Sequence, residues 1–318
     1  MSRGLRLAAS SKIKERLRIL TENPLMGLLC GTIATMVLQS SSITTVMVVG
    51  LVNSELITLK QGISIIVGAN IGTTVTAQII AFPLHEWALP AAAIGILLLL
   101  LARLTSTSLT SLGKTLLGGS FLFLGLNLMS SSLSPLRESP WIISLLLEAG
   151  EIPLRGMLMG AASTFLFQSS SAVIGIIMAM AVQGIVSLPA GIAIIIGADM
   201  GTCITSMLAS IGTNLNARRA ALAHLIFNIV GAFCILPIFH YFTSAVIESS
   251  SHVTRQVANA HTMYNLFNAL LIIPFINIYT RFILFLTPEN KGVGIGSNVF
   301  RSSKNCICIK LKKMINKQ

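Results

Sequence analysis

"PLMGLLCGTIATMVLQSSS" (24–42) returns 129 residues further on, without a gap, as "PLRGMLMGAASTFLFQSSS" (153–171). The match continues with "GISIIVGANIGTTVT" (62–76) over "GIAIIIGADMGTCIT" (191–205), so that positions 24–76 share 20 identities in 53 pairs with 153–205. Shared hydrophobicity alone does not keep a glutamine, three serines and paired glycines in register. The two halves descend from one unit, and the behaviour of that unit decides the fold.

Of the 318 residues, 53% are hydrophobic and only 10% charged, and the mean hydropathy is +0.83. Soluble domains carry about 25% charged residues, so the chain belongs in a lipid bilayer. Apolar runs recur along most of its length, which predicts an all-α polytopic membrane protein; a β-barrel shows ~10-residue alternating segments instead. The first apolar run is not a signal peptide, because it continues through residue 53 with no small-residue cleavage site after a short core. The net charge of +12 collects in the short polar segments between apolar runs. That is the pattern of cytoplasmic loops rather than of a nucleic-acid surface. The five cysteines (Cys30, Cys203, Cys234, Cys306, Cys308) lie in apolar runs or the basic tail and read as free thiols.

About fifteen apolar residues lead into each QSSS and about twelve follow, so neither arm reaches the ~20 residues of a straight span, while the two together exceed it. The spacing predicts a re-entrant helical hairpin with QSSS at its tip; the alternative is one tilted helix with a polar patch. Full spans follow at roughly 59–82, 87–103, 111–132, 187–211, 218–240 and 259–286. Six spans put both termini on one side. With that side cytoplasmic, all of the 22 Lys and Arg residues except Arg137, Arg155 and Arg255 fall inside. Three spans separate the hairpins, which turns the second unit upside down. The expected organisation is a basic N-terminus (1–23), repeat 1 (24–135), a connecting segment (136–152), repeat 2 (153–286) and a basic cytoplasmic tail (287–318). Inverted repeats with broken helices are a recurring design of secondary transporters.

A hairpin tip leaves orphan N–H donors at the positive end of a helix, and these with the serine hydroxyls make an anion cradle. Hydroxyl lone pairs also suit a hard cation. The candidate anion- and cation-binding residues are therefore Gln39, Ser40, Ser41, Ser42, Gln168, Ser169, Ser170 and Ser171, which the resemblance given below makes the phosphate and sodium site. In "GANIGTT" and "GADMGTC", Gly68, Gly72, Gly197 and Gly201 permit close helix packing. Packing does not explain Asn70, Asp199 or the hydroxyls of Thr73, Thr74, Thr202 and Thr205, which form an oxygen-only set suited to Na⁺, helped by carbonyls if the turn unwinds. Asp199 is the acidic residue placed deep in a span, where a charge costs at least ~2.5 kcal/mol and marks a functional site. It is expected to ligate a cation, because no Lys or Arg lies at its depth to make an ion pair. His224 and Asn228, like His261 and Asn265, are four apart and share a helix face, either lining a pore or bonding between helices.

Together these residues resemble the sodium-dependent phosphate cotransporter family, the type II Na⁺/Pi cotransporters and their bacterial relatives. The carriers of the resemblance are the doubled QSSS, the doubled GA[ND]xGT and "ALAHLIFN" (221–228), over residues 20–285. The family implies symport of inorganic phosphate with Na⁺ into the cell by alternating access, with both tips forming the site and Asn70, Thr73, Asp199 and Thr202 ligating sodium. It implies a cell-membrane protein with no cofactor beyond the coupling ion; the phosphate-regulator-like domain of many bacterial members has no counterpart in this sequence, so a minimal bacterial transport core is expected. Asp199 stands where the family has Asn, and Cys203 where it has Thr or Ser. Transport of another oxyanion or a small carboxylate, H⁺ coupling, and an intramembrane serine hydrolase using His224 or His261 as base are the competing readings.

Overall fold

The computed structural model describes residues 19, 21–82, 87–102 and 107–288, and among these every regular element is helical. Residues up to Ile283 form one compact unit; the second unit, from Leu284, is described only for 284–288.

Helix α1 (Pro24–Leu38) starts on an Asn23 cap with proline in its first turn, where the missing N–H is harmless. It stops because Gln39 turns left-handed (φ 52°), and Ser40 at once caps the next helix, α2 (Ser41–Asn53), by accepting from the Ile43 N–H. Helix α3 (Leu59–Ile80) opens on a capping box in which the Thr58 hydroxyl accepts from the Gln61 N–H and Gln61 Oε1 accepts from the Thr58 N–H. Helices α4 (Ala88–Ala102), α5 (Thr107–Leu133) and α6 (Pro140–Glu151) follow. Then α7 (Pro153–Phe167), α8 (Ser170–Val182) and α9 (Leu188–Ala209) reproduce α1, α2 and α3 in length and at the same offset of 129 residues. Gln168 is left-handed like Gln39 (φ 55°), and Ser169 caps α8 as Ser40 caps α2. One difference is local: Ala190 stands where Gln61 does, so Ser187 caps α9 without a box. Thr58→Ala is expected to cost about 1 kcal/mol and Ser187→Ala less; equal losses of melting temperature in the two variants in detergent refute the difference.

Glycines set the packing within each triplet. Gly27 faces Ser64, Gly31 meets Ile65 and Ala69, Gly68 meets Leu28, and Gly72 meets Thr32 and Thr35. These contacts climb together, so α1 and α3 run side by side in the same direction. Helix α2 comes back, with Thr35 Oγ1 donating to Thr44 Oγ1 at 2.9 Å and Val48 and Val52 over Gly62. The contacts of Gly156, Gly160, Gly197 and Gly201 with α9, α7 and their neighbours repeat this at equivalent positions.

The triplets run in opposite directions. At one end Asn214, beyond α9, donates its backbone and side-chain N–H groups to Asn53 Oδ1 (2.8 Å) and O (3.0 Å) at the end of α2. At the other end Ile80 and Ala81 of α3 share a cavity of about 270 Å³ with Met178, Ala179 and Val182 of α8. Helix α3 therefore runs from the Asn53 end to the Val182 end, and α9 runs back.

The remaining helices are α10 (Leu215–Ile235), α11 (Phe239–Glu248), α12 (Val253–Ile272) and α13 (Ile276–Leu286). Helices α10 and α12 enter the interior, whereas α4 and α5 pack chiefly on each other and the apolar span of α5 is only 11% buried. Six straight spans were expected; four described helices are long and apolar enough to cross a membrane, five if α12 and α13 count as one. The expected span 259–286 is broken by 83°, where Pro274 can neither donate nor accommodate the preceding carbonyl. The expected span 87–103 is described as 15 residues of helix, short of a crossing. The connecting segment 136–152 holds α6, which buries Leu146 and Ala149 against the second triplet.

Candidate functional site

Each tip is built by the same local sequence logic. Gln39 and Gln168 fold back so that Nε2 donates to the carbonyl of Met36 (2.5 Å) and Phe165 (2.6 Å), closing the last turn of α1 and α7. Both glutamines are exposed, Ser40, Ser42, Ser169 and Ser171 are half-buried, and Ser41 and Ser170 are buried. The first N–H groups of α2 and α8 have no intrahelical acceptor and point out of the helix start. Each tip can thus offer backbone N–H, hydroxyl and amide groups to an anion, or hydroxyl oxygens to a cation. The tips sit against their own long helices, and among the described residues no hydrogen bond joins one to the other. Thr76 Oγ1 donates to Gln39 Oε1 at 2.9 Å, a contact the sequence reading missed although Thr76 and Thr205 occupy equivalent repeat positions. Thr205 bonds instead to the Thr202 carbonyl.

Helices α3 and α9 are unbroken through GANIGTT and GADMGTC, so no unwound turn adds backbone carbonyls there. A Cβ on Gly68 would lie 1.9 Å from the Leu28 carbonyl oxygen, and one on Gly197 1.8 Å from that of Met157. The glycines are spent on contact with α1 and α7 rather than on a change of backbone direction. Asn70, Thr73 and Thr74 bond to the carbonyls of Ile66, Ala69 and Ile71, and Thr202 to that of Ala198, within their own helices.

Asp199 is 4% exposed. His261 Nε2 lies 3.1 Å from both of its oxygens, and Asn265 Nδ2 donates to Oδ2 at 2.8 Å. The sequence offered no Lys or Arg at this depth, and the structure supplies an imidazole and an amide from α12. Nearby, His224 Nδ1 meets Ser206 Oγ at 3.2 Å, and Asn228 Nδ2 donates to Cys203 Sγ at 3.2 Å. His224, Asn228, His261 and Asn265 are all 0% exposed, at the interface of α9, α10 and α12. Neither histidine hydrogen-bonds a QSSS serine. A second polar knot ties α3 to α12: Gln78 Nε2 donates to Asn259 and Thr262, and Arg255 donates to Gln78 Oε1 while lying 4.4 Å over the Phe82 ring. Cys30, Cys203 and Cys234 are free thiols; Cys306 and Cys308 lie outside the described residues. Among the described residues no three His, Cys, Asp or Glu side chains converge on a metal position.

An all-helical membrane bundle with duplicated polar tips and a buried carboxylate defines a transporter class rather than an enzyme. The sequence profile described as Na⁺/Pi-cotransporter matches residues 1–131 and 141–240, and the chain belongs to that family. The uncharacterized protein YqeW of Bacillus subtilis is 32% identical over 259 residues, covering 81% of this chain and 83% of YqeW. The putative inorganic phosphate export protein YjbB of Escherichia coli is 28% identical over 237 residues, 74% of this chain but 43% of YjbB. The human sodium-dependent phosphate transport protein 2B is 51% identical over 59 residues, 19% of this chain and 9% of that protein. No solved structure matches.

Proposed function

We propose that the chain is a sodium-coupled carrier that brings inorganic phosphate into the cell. The observation that carries this reading is the duplicated tip: the same left-handed Gln, Ser cap and helix start, twice, on triplets that run in opposite directions. A helix start with free N–H groups suits an oxyanion, and serine and glutamine oxygens beside it suit Na⁺. Antiparallel triplets let one architecture open to either face in turn. In this reading α1–α2 enters from the cytoplasm, α7–α8 from outside, and Lys60, Arg218 and Arg219 face the cytoplasm with both termini.

An anion entering a negative interior moves uphill by about 2.3 kcal/mol per charge per 100 mV. Na⁺ bound beside it cancels that charge and contributes its own gradient. The relative named for phosphate export shares the scaffold, and the direction of net flux follows the gradients acting on it. Radiolabelled phosphate uptake into proteoliposomes is expected with an inward Na⁺ gradient and not without one; gradient-independent uptake sinks the coupling. Strong competition by sulfate or carboxylates in the same assay would move the substrate to another anion.

Asp199 is assigned to the sodium side of the cycle. Asp199→Asn restores the residue type found at the equivalent Asn70, so the variant is expected to fold. Its half-saturating Na⁺ concentration is expected to rise about tenfold, a loss of ~1.4 kcal/mol, with a smaller change for phosphate; an unchanged sodium titration refutes the assignment.

A further inference from the structure

We propose that Arg255 forms a second oxyanion subsite, outside both hairpin tips, where free inorganic phosphate is held by the Nε and Nη2 edge of the guanidinium before it reaches the tips. The proposal rests on the phosphate-carrier reading and, in the orientation of that reading, places the subsite at the outer end of α3 and α12.

The position of the guanidinium is fixed by neutral groups. Gln78 Nε2 donates to Asn259 Oδ1 (3.1 Å) and to Thr262 Oγ1 (3.0 Å). Both amide hydrogens are thereby spent, so the amide keeps its orientation and Oε1 is left facing Arg255. Arg255 Nη1 donates to that oxygen at 3.0 Å and to the Gln78 carbonyl at 3.4 Å. The Phe82 ring lies 4.4 Å from the guanidinium carbon and supports its plane. Only Nη1 is committed: among the described residues Nε and Nη2 have no hydrogen-bond partner, and no carboxylate pairs with Arg255.

A tie between two helices needs a single donor, and a neutral amide would supply it. Arg255 brings a full charge to a half-buried position whose hydrogen-bonding partner is neutral, which leaves it short of a counter-charge. Its free edge is the one that meets two oxygens of a phosphate side by side, a geometry lysine does not offer. Arg155, by contrast, is already paired with Glu148. Space lies beside the free edge's support: the cavity of about 270 Å³ is lined by Phe82, by Thr254 next to Arg255 in sequence, and by Asn127 of α5. At ~30 Å³ per water, that volume takes a tetrahedral anion with part of its hydration. The first tip is close along α3, because Gln78 holds Arg255 while Thr76, two residues earlier, donates to Gln39.

Two measurements test the subsite. The purified full chain in lipid-free detergent is treated with phenylglyoxal, which condenses with a free guanidinium edge, and modification of Arg255 and Arg155 is followed by mass spectrometry. Inorganic phosphate is expected to slow modification of Arg255 about fivefold or more and to leave Arg155 unchanged, in the parent and in Gln39→Ala alike. Absence of protection in the parent overturns the proposal, and its loss in Gln39→Ala shows that the effect comes from the tip and overturns a separate subsite. Protection by phosphatidylglycerol micelles but not by inorganic phosphate overturns free phosphate as the occupant. Arg255→Lys keeps the charge and loses the fork. In proteoliposomes with an inward Na⁺ gradient its half-saturating external phosphate is expected to rise about tenfold, while the maximal rate falls far less. A mere tie between α3 and α12 would instead lower the maximal rate and the melting temperature at an unchanged half-saturation, and that result overturns the proposal. Failure of the carrier reading shows separately, as a parent without Na⁺-driven uptake whose Arg255 is still protected by phosphate.

Discussion

Gly68→Val and Gly197→Val are each expected to yield no folded protein. The added carbon would lie 1.9 Å from the Leu28 carbonyl oxygen in the first case and 1.8 Å from the Met157 oxygen in the second, so the obstruction is backbone and no side-chain rotation relieves it. The helices must separate, and each pair forms the densest contact of its triplet. The cost is expected to exceed about 5 kcal/mol, the exceptional end of single substitutions and as large as the whole stability of many domains. Gly125 of α5 provides the contrast, since a carbon added there meets nothing within 4 Å. Gly125→Ala is expected to behave as the parent in size-exclusion chromatography and thermal unfolding. A monodisperse Gly68→Val protein with the parental melting temperature would refute the packing argument.

Gln39→Ala and Gln168→Ala are expected to abolish phosphate transport and leave the fold intact. Both replacements keep the Cβ, so the left-handed backbone is no more strained than before. Each loses one exposed hydrogen bond, to Met36 or Phe165, worth about 1 kcal/mol. Gln39→Ala also frees Thr76 Oγ1, an asymmetry that predicts a slightly larger loss of stability there than at Gln168. Transport is measured in proteoliposomes beside the melting temperature of the same preparations. Substantial uptake by either variant would remove its glutamine from the site, and uptake by one alone would show that the two tips contribute unequally.

The sequence made the duplicated elements legible because a repeat tests itself: two glutamines and two serine triplets at one offset restrict the chain at both places. It also located Asp199 by depth alone. The hidden parts were those fixed by contact between distant segments. Nothing in "ANAHTMYNLFN" says that His261 and Asn265 close on Asp199 rather than on a pore, because a helix face states a direction and not a partner. The glycines were ambiguous for the same reason, since GxxxG reads alike in a packed helix and in one about to unwind. Pro274 marks the break in the structure, whereas the apolar count on either side favoured one long span. Helix α6 was overlooked because twelve residues starting at a proline resemble a loop when length is the criterion for a crossing.

The two triplets match, but what surrounds them does not: α4 and α5 stand largely apart, while α10 and α12 bring His224, Asn228, His261 and Asn265 against α9. A carrier made of two identical halves would have two open forms of equal free energy and would divide its time evenly between them. Here the side-chain hydrogen bonds to the Asp199 carboxylate come from α12 of the second half. In the carrier reading the two open forms are therefore expected to differ in energy.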